Sequence, residues 1–92
     1  MSIFDQISIR IIKEQELIIG SLAWEEAKKV PGLNIDQVKK ETTFNGDAKE
    51  ILNKLVAQYT RLFGKASTEA CKSAVQDLLA DLPQDQIPMN LK

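Results

Sequence analysis

The sequence predicts a helix-dominated α+β domain: a long N-terminal helix, a short β-hairpin, then an antiparallel helical pair. Three observations predict it. Apolar residues recur at spacings of three and four over residues 3–30 and again over 47–82, the mark of amphipathic helices. Residues 33–46 change character to alternating and β-branched. Pro31-Gly32, Asn45-Gly46 and Gly64 fall at the joints between these stretches. An all-helical bundle is the alternative architecture.

In residues 3–30, Phe4, Ile7, Ile11, Ile18 and Leu22 form one stripe, and Ile12, Ile19, Ala23, Ala27 and Val30 a second beside it. Gly20-Ser21 is the weak point, where the segment can kink or split. Pro31-Gly32 ends it. Unbroken, the helix would measure about 40 Å at about 1.5 Å per residue. A domain of this size is only about 30 Å across. Either the helix breaks near Gly20, or its Phe4/Ile7/Ile11 end overhangs and meets another chain.

Leu33 and Ile35 alternate with Asn34 and Asp36, and Thr42-Thr43-Phe44 is a β-forming run. This predicts a hairpin pairing 33–36 with 39–44, turning at 36–38, with Leu33, Ile35 and Phe44 facing inward. The alternative is a short helix over 37–43 capped by Asp36. Asp47 followed by Glu50 has the spacing of a capping box. Ile51, Leu52, Leu55, Val56, Tyr59, Leu62 and Phe63 then make one apolar face, ended by Gly64. The next helix is expected to start at Ser67 or Thr68. It presents Ala70, Cys71, Ala74, Val75, Leu78, Leu79 and Leu82, and Pro83 stops it. Residues 1–82 read as one compact domain. Residues 83–92 read as a mobile tail, with Ile87, Met89 and Leu91 able to dock.

Ninety-two residues are enough for a modest core, and 43% apolar with 27% charged residues is ordinary for a globular chain. A net charge of −1 gives no global pull towards nucleic acid or membrane. The longest apolar runs are too short to span a bilayer. Met-Ser-Ile-Phe-Asp lacks a basic region before an apolar run, so no cleaved leader is expected. The lone Cys71 cannot form an intrachain disulfide, which fits a reducing, cytoplasmic setting.

No histidine is present, which removes the commonest acid–base group and metal ligand. Gly64-Lys65-Ala66-Ser67-Thr68 has the end of a phosphate-binding loop, but Tyr59 stands where its first glycine belongs. Free N–H groups at 67–69 beside Lys65 could still hold an anion. No thiolate or imidazole cluster serves zinc, and no loop serves calcium. We therefore expect no catalytic residues, metal or cofactor.

The expected function is a non-enzymatic protein-interaction or regulatory module. It is expected to form a homodimer through the N-terminal helix, with Phe4, Ile7, Ile11 and Trp24 as candidate interface residues. A nucleic-acid-binding module using Lys28, Lys29, Lys39 and Lys40 is the alternative. A small-ligand domain with Glu14 or Tyr59 in a pocket is the third reading.

Overall fold

The computed structural model describes residues 2–92. Within them the order is α1 (Ile3–Ile19), α2 (Leu22–Lys28), β1 (Leu33–Asp36), β2 (Glu41–Phe44), α3 (Ala48–Phe63) and α4 (Lys65–Leu79). Two 3-10 turns, Gln84–Gln86 and Met89–Leu91, close the chain. The fold is helix-dominated α+β.

The N-terminal segment breaks at Gly20. That residue has φ 71° and ψ −154°, a conformation that only glycine enters cheaply. A Cβ there would meet no atom within 4 Å, so the restriction lies in the backbone alone. With 17 residues, α1 is about 25 Å long, which fits within extents of 32 × 26 × 20 Å. The overhang at Phe4, Ile7 and Ile11 therefore does not arise. α1 opens with a capping box between Ser2 and Asp5, at a start the apolar stripe alone had marked.

α1 runs antiparallel to α4. Arg10 reaches Ala74 O and Asp77, whereas Gln15, further along α1, reaches Ser67 O and Cys71. The inner side of α1 meets Leu52, Leu55, Val56 and Tyr59 of α3 and Cys71 and Val75 of α4 in one core cluster. Asp47 caps α3 by accepting from Lys49 N at 3.0 Å. Glu50 makes no return bond to the backbone at Asp47, so the cap is one-sided.

The hairpin is antiparallel, pairing Leu33 with Phe44 and Ile35 with Thr42. The second strand begins at Glu41, two residues later than expected. The Asp36 carboxylate accepts from both Val38 N and Lys39 N at 3.1 Å, which keeps residues 37–40 in the turn. Lys40 completes the reversal at φ 55°. Leu33 is buried, and Ile35 and Phe44 pack half-buried against the core. Thr42 is also buried, its hydroxyl 2.6 Å from that of Ser8 on α1.

α4 begins at Lys65, earlier than Ser67 or Thr68. Gly64 reverses the chain at φ 86° and serves as its cap without a side chain. Ser67 is buried a turn inside the start, and the Thr68 hydroxyl bonds that of Thr60 across the helix pair. In the last residues Ile87, Pro88 and Leu91 are buried and Met89 faces out. Asn90 donates to Asn53 through its backbone N–H and its side-chain amide, and Lys49 Nζ donates to Asp85 O at 2.7 Å.

Two substitutions measure these constraints by urea unfolding. Leu55→Ala, in the fully buried centre of α3, is expected to cost about 2–5 kcal/mol. Gly20→Ala is expected to cost about 1–3 kcal/mol through backbone strain alone. A Gly20→Ala protein as stable as the parent would mean that the bend is not strained.

Candidate interaction surface

The structure brings the expected interface residues inward. Ile7, Ile11 and Trp24 are fully buried in their own chain, and Phe4 packs half-buried against the same cluster. They are core residues, and the reason is the break at Gly20: a shorter α1 is covered along its whole inner stripe except at its far end. Trp24 lies beneath that break, where its indole N–H donates to Glu16 Oε2 at 2.7 Å. Lys40 lies 5.6 Å from the Trp24 ring centroid, a cation–π distance. Its ammonium is also 3.9 Å from Glu16 Oε1.

The uncovered apolar surface sits at the opposite end of α1 from the one expected. Leu17 is 83% exposed, Ile18 59%, Leu22 43% and Leu62 44%. Gln15, one turn before the end of α1, bonds Ser67, close to the start of α4. The Gly20 and Gly64 reversals therefore lie at one end of the molecule, and these four residues belong to the helix ends that lead into or out of them. Ile18 and Leu22 continue the buried stripe of Ile7 and Ile11, but α4 starts too late in space to cover them. Among the described residues two other large apolar side chains are exposed, Val38 at the hairpin turn and Met89 near the C-terminus.

Lys28, Lys29, Lys39 and Lys40 do not form an uncompensated basic patch. Lys28 pairs with Glu25 at 3.5 Å, Lys29 with Glu26 at 3.0 Å, and Lys40 with Glu16. Among the described residues Lys39 alone of the four has no ion pair. The Lys29 ammonium and the Gln58 amide hold the Glu26 carboxyl below the usual carboxylate range.

Glu14 and Tyr59 do not share a pocket. Glu14 is half-buried on a groove of about 530 Å³ along the outer face of α1, with Arg10, Lys13, Glu16, Leu17 and Lys40. Arg10 is held there by Asp77 at 2.7 Å, and this guanidinium lowers the Asp77 carboxyl. Tyr59 is buried and donates to Ala23 O at 2.6 Å; burial raises its phenol. Of the N–H groups at 67–69 that could hold an anion, that of Ser67 already donates to Gly64 O inside α4.

Cys71 is buried, and Gln15 Nε2 lies 3.3 Å from its sulfur. Burial pushes its thiol up to about 11. Gln15 Nε2 also donates to Ser67 O, whereas Gln15 Oε1 has no partner. Among the described residues no three potential metal ligands converge, and no helix is long and apolar enough to cross a membrane. Compared with known proteins, the chain matches no family model, no curated protein and no solved structure.

Burial of the thiol has two measurable consequences. A disulfide reagent is expected to modify Cys71 only as fast as the native chain opens; immediate labelling would show an accessible thiol. The unfolded thiol ionises near pH ~8.5, but the folded one only near 11. Stability from this group is thus full below pH ~8.5 and falls as pH rises towards the folded value. The melting temperature is expected to decline over that window, and Cys71→Ala to decline less steeply.

Proposed function

We propose that this protein is a non-enzymatic interaction module that forms a homodimer through the C-terminal end of its N-terminal helix. One observation carries the reading: Leu17, Ile18, Leu22 and Leu62 are each exposed, and all four lie on helix ends at the Gly20 and Gly64 reversals. Clustered apolar side chains in water favour association, whereas scattered ones do not. A twofold axis through this end would lay the same patch on itself, as an isologous dimer requires. The reading keeps the N-terminal helix as the contact but moves the contact from Phe4, Ile7 and Ile11 to Leu17 and Ile18.

A reducing, cytoplasmic setting suits such a module, since its only cysteine stays a thiol. Recognition of nucleic acid through Lys28, Lys29, Lys39 and Lys40 is disfavoured by the carboxylates that engage three of them.

Light scattering in solution tests the proposal. The native chain is expected at twice 10.3 kDa, and Ile18→Asp at the single-chain mass with its fold kept, because Ile18 is exposed. Ile7→Asp, in contrast, should unfold the chain, because it buries an unpaired carboxylate. A native protein that stays at 10.3 kDa at high concentration overturns the dimer.

A further inference from the structure

The groove between α3 and the Val30–Pro31 corner differs in charge from the grooves on α1 and on the hairpin. It measures about 260 Å³ and is lined by Val30, Pro31, Lys54, Ala57, Gln58 and Arg61. Two cations line it and no carboxylate does. The groove on α1 carries both signs, and one on the hairpin carries Asp36 and Glu41 without a cation. Among the described residues neither Lys54 nor Arg61 has an ion pair. Glu50, one turn before Lys54, does not engage it. In a chain of net charge −1, these are two cations without an ion pair, although Arg61 also acts at longer range on the Glu26 carboxylate.

Arg61 is also held in place. Glu26 is nearly buried and receives Lys29 Nζ at 3.0 Å and Gln58 Nε2 at 2.8 Å. Donation to a carboxylate fixes which end of the Gln58 amide is nitrogen. Its oxygen is thereby turned to Arg61, which donates to it at 2.9 Å. One nitrogen of the guanidinium is anchored, and its remaining donors are free to fork onto an incoming carboxylate.

We propose that this groove docks an acidic extended segment of a partner protein, one carboxylate on Arg61 and a second on Lys54. The two cations stand seven residues apart on one helix, about 10 Å along its axis. They are too far apart to clamp a single small anion. An extended chain advances about 3.3 Å per residue, so acidic side chains two to four residues apart reach both. Val30, Pro31 and Ala57 offer an apolar bed for a residue between them. The groove has no aromatic side chain on which a base could stack, and two cations make a poor track for a nucleic-acid backbone. Arg61 stands next to Leu62 of the apolar end in sequence, but the groove does not require the homodimer.

The test uses the whole chain and a fluorescein-labelled peptide Glu-Gly-Leu-Gly-Glu, read by anisotropy at low salt. Saturable binding is expected, weakening as salt rises. Lys54→Gln with Arg61→Gln should lower affinity by roughly fivefold or more at an unchanged melting temperature, since both side chains are exposed. Gln58→Met, which keeps the bulk but frees Arg61, should give an intermediate loss. The proposal is overturned if the double variant binds like the parent, or if a peptide with Gln in place of both Glu binds equally well. It is also overturned if inorganic phosphate competes at matched concentration, which would mean a simple anion site, or if a ten-nucleotide RNA binds more tightly than the peptide.

Discussion

The packing depends on where α1 stops. An amphipathic helix is stable in a small domain only along the length that other elements cover. Here the cover on one side is α3 and α4, and on another β2. Gly20 ends the helix close to where that cover ends. The chain then turns back as α2, which brings Trp24 under the bend and its indole N–H onto Glu16, on the other side of the break. One carboxylate thus ties α1 to α2, and through Lys40 it also reaches the hairpin turn. The positive φ of Lys40 is offset by the ion pair and ring contact that the turn gains.

The interior is apolar but not uniformly so. Ser8 with Thr42 joins α1 to the hairpin, and Tyr59 with the Ala23 carbonyl joins α3 to α2. Each is a buried donor matched to an acceptor on a different element, which favours one arrangement over near alternatives. On the surface the charges sort differently. Acidic partners engage most lysines around α2 and the hairpin turn, while among the described residues Lys54 and Arg61 of α3 have no ion pair.

Much of this architecture is legible in the sequence. The order of elements, the hairpin over residues 33–44 and the Asp47 cap follow from periodicity and joint residues, because those signals are local; Gly20-Ser21 marks a weak point in the first helix without deciding whether it breaks. The errors share a cause. Ser67 and Thr68 look like helix caps, but Gly64 reverses the chain at once and places them inside α4, where Gln15 and Thr60 claim them. Asp36 looks like a strand end, but its side chain holds two turn N–H groups and delays the second strand. The stripe points to an apolar end at Phe4 because it shows which face is apolar, not which part of it other elements cover. Ile18 and Leu22 carry the same signal as Ile7 and Ile11. Only the starting point of α4 in space separates them. Likewise no local pattern shows that Lys28 and Lys29 meet carboxylates while Arg61 is aimed by a glutamine.

Gln15 carries a last consequence. Its amide nitrogen is bonded between Ser67 and Cys71, and its oxygen is sealed without a donor. A leucine would fill the same space without that debt. Yet the amide finds its two acceptors at a single axial setting of α1 against α4. Sliding either helix by a turn would strand the amide nitrogen along with its oxygen in a dry seam, whereas an all-aliphatic seam would tolerate the slip. The polar residue thus gives up some cohesion and in return sets the vernier by which two smooth helices find one alignment.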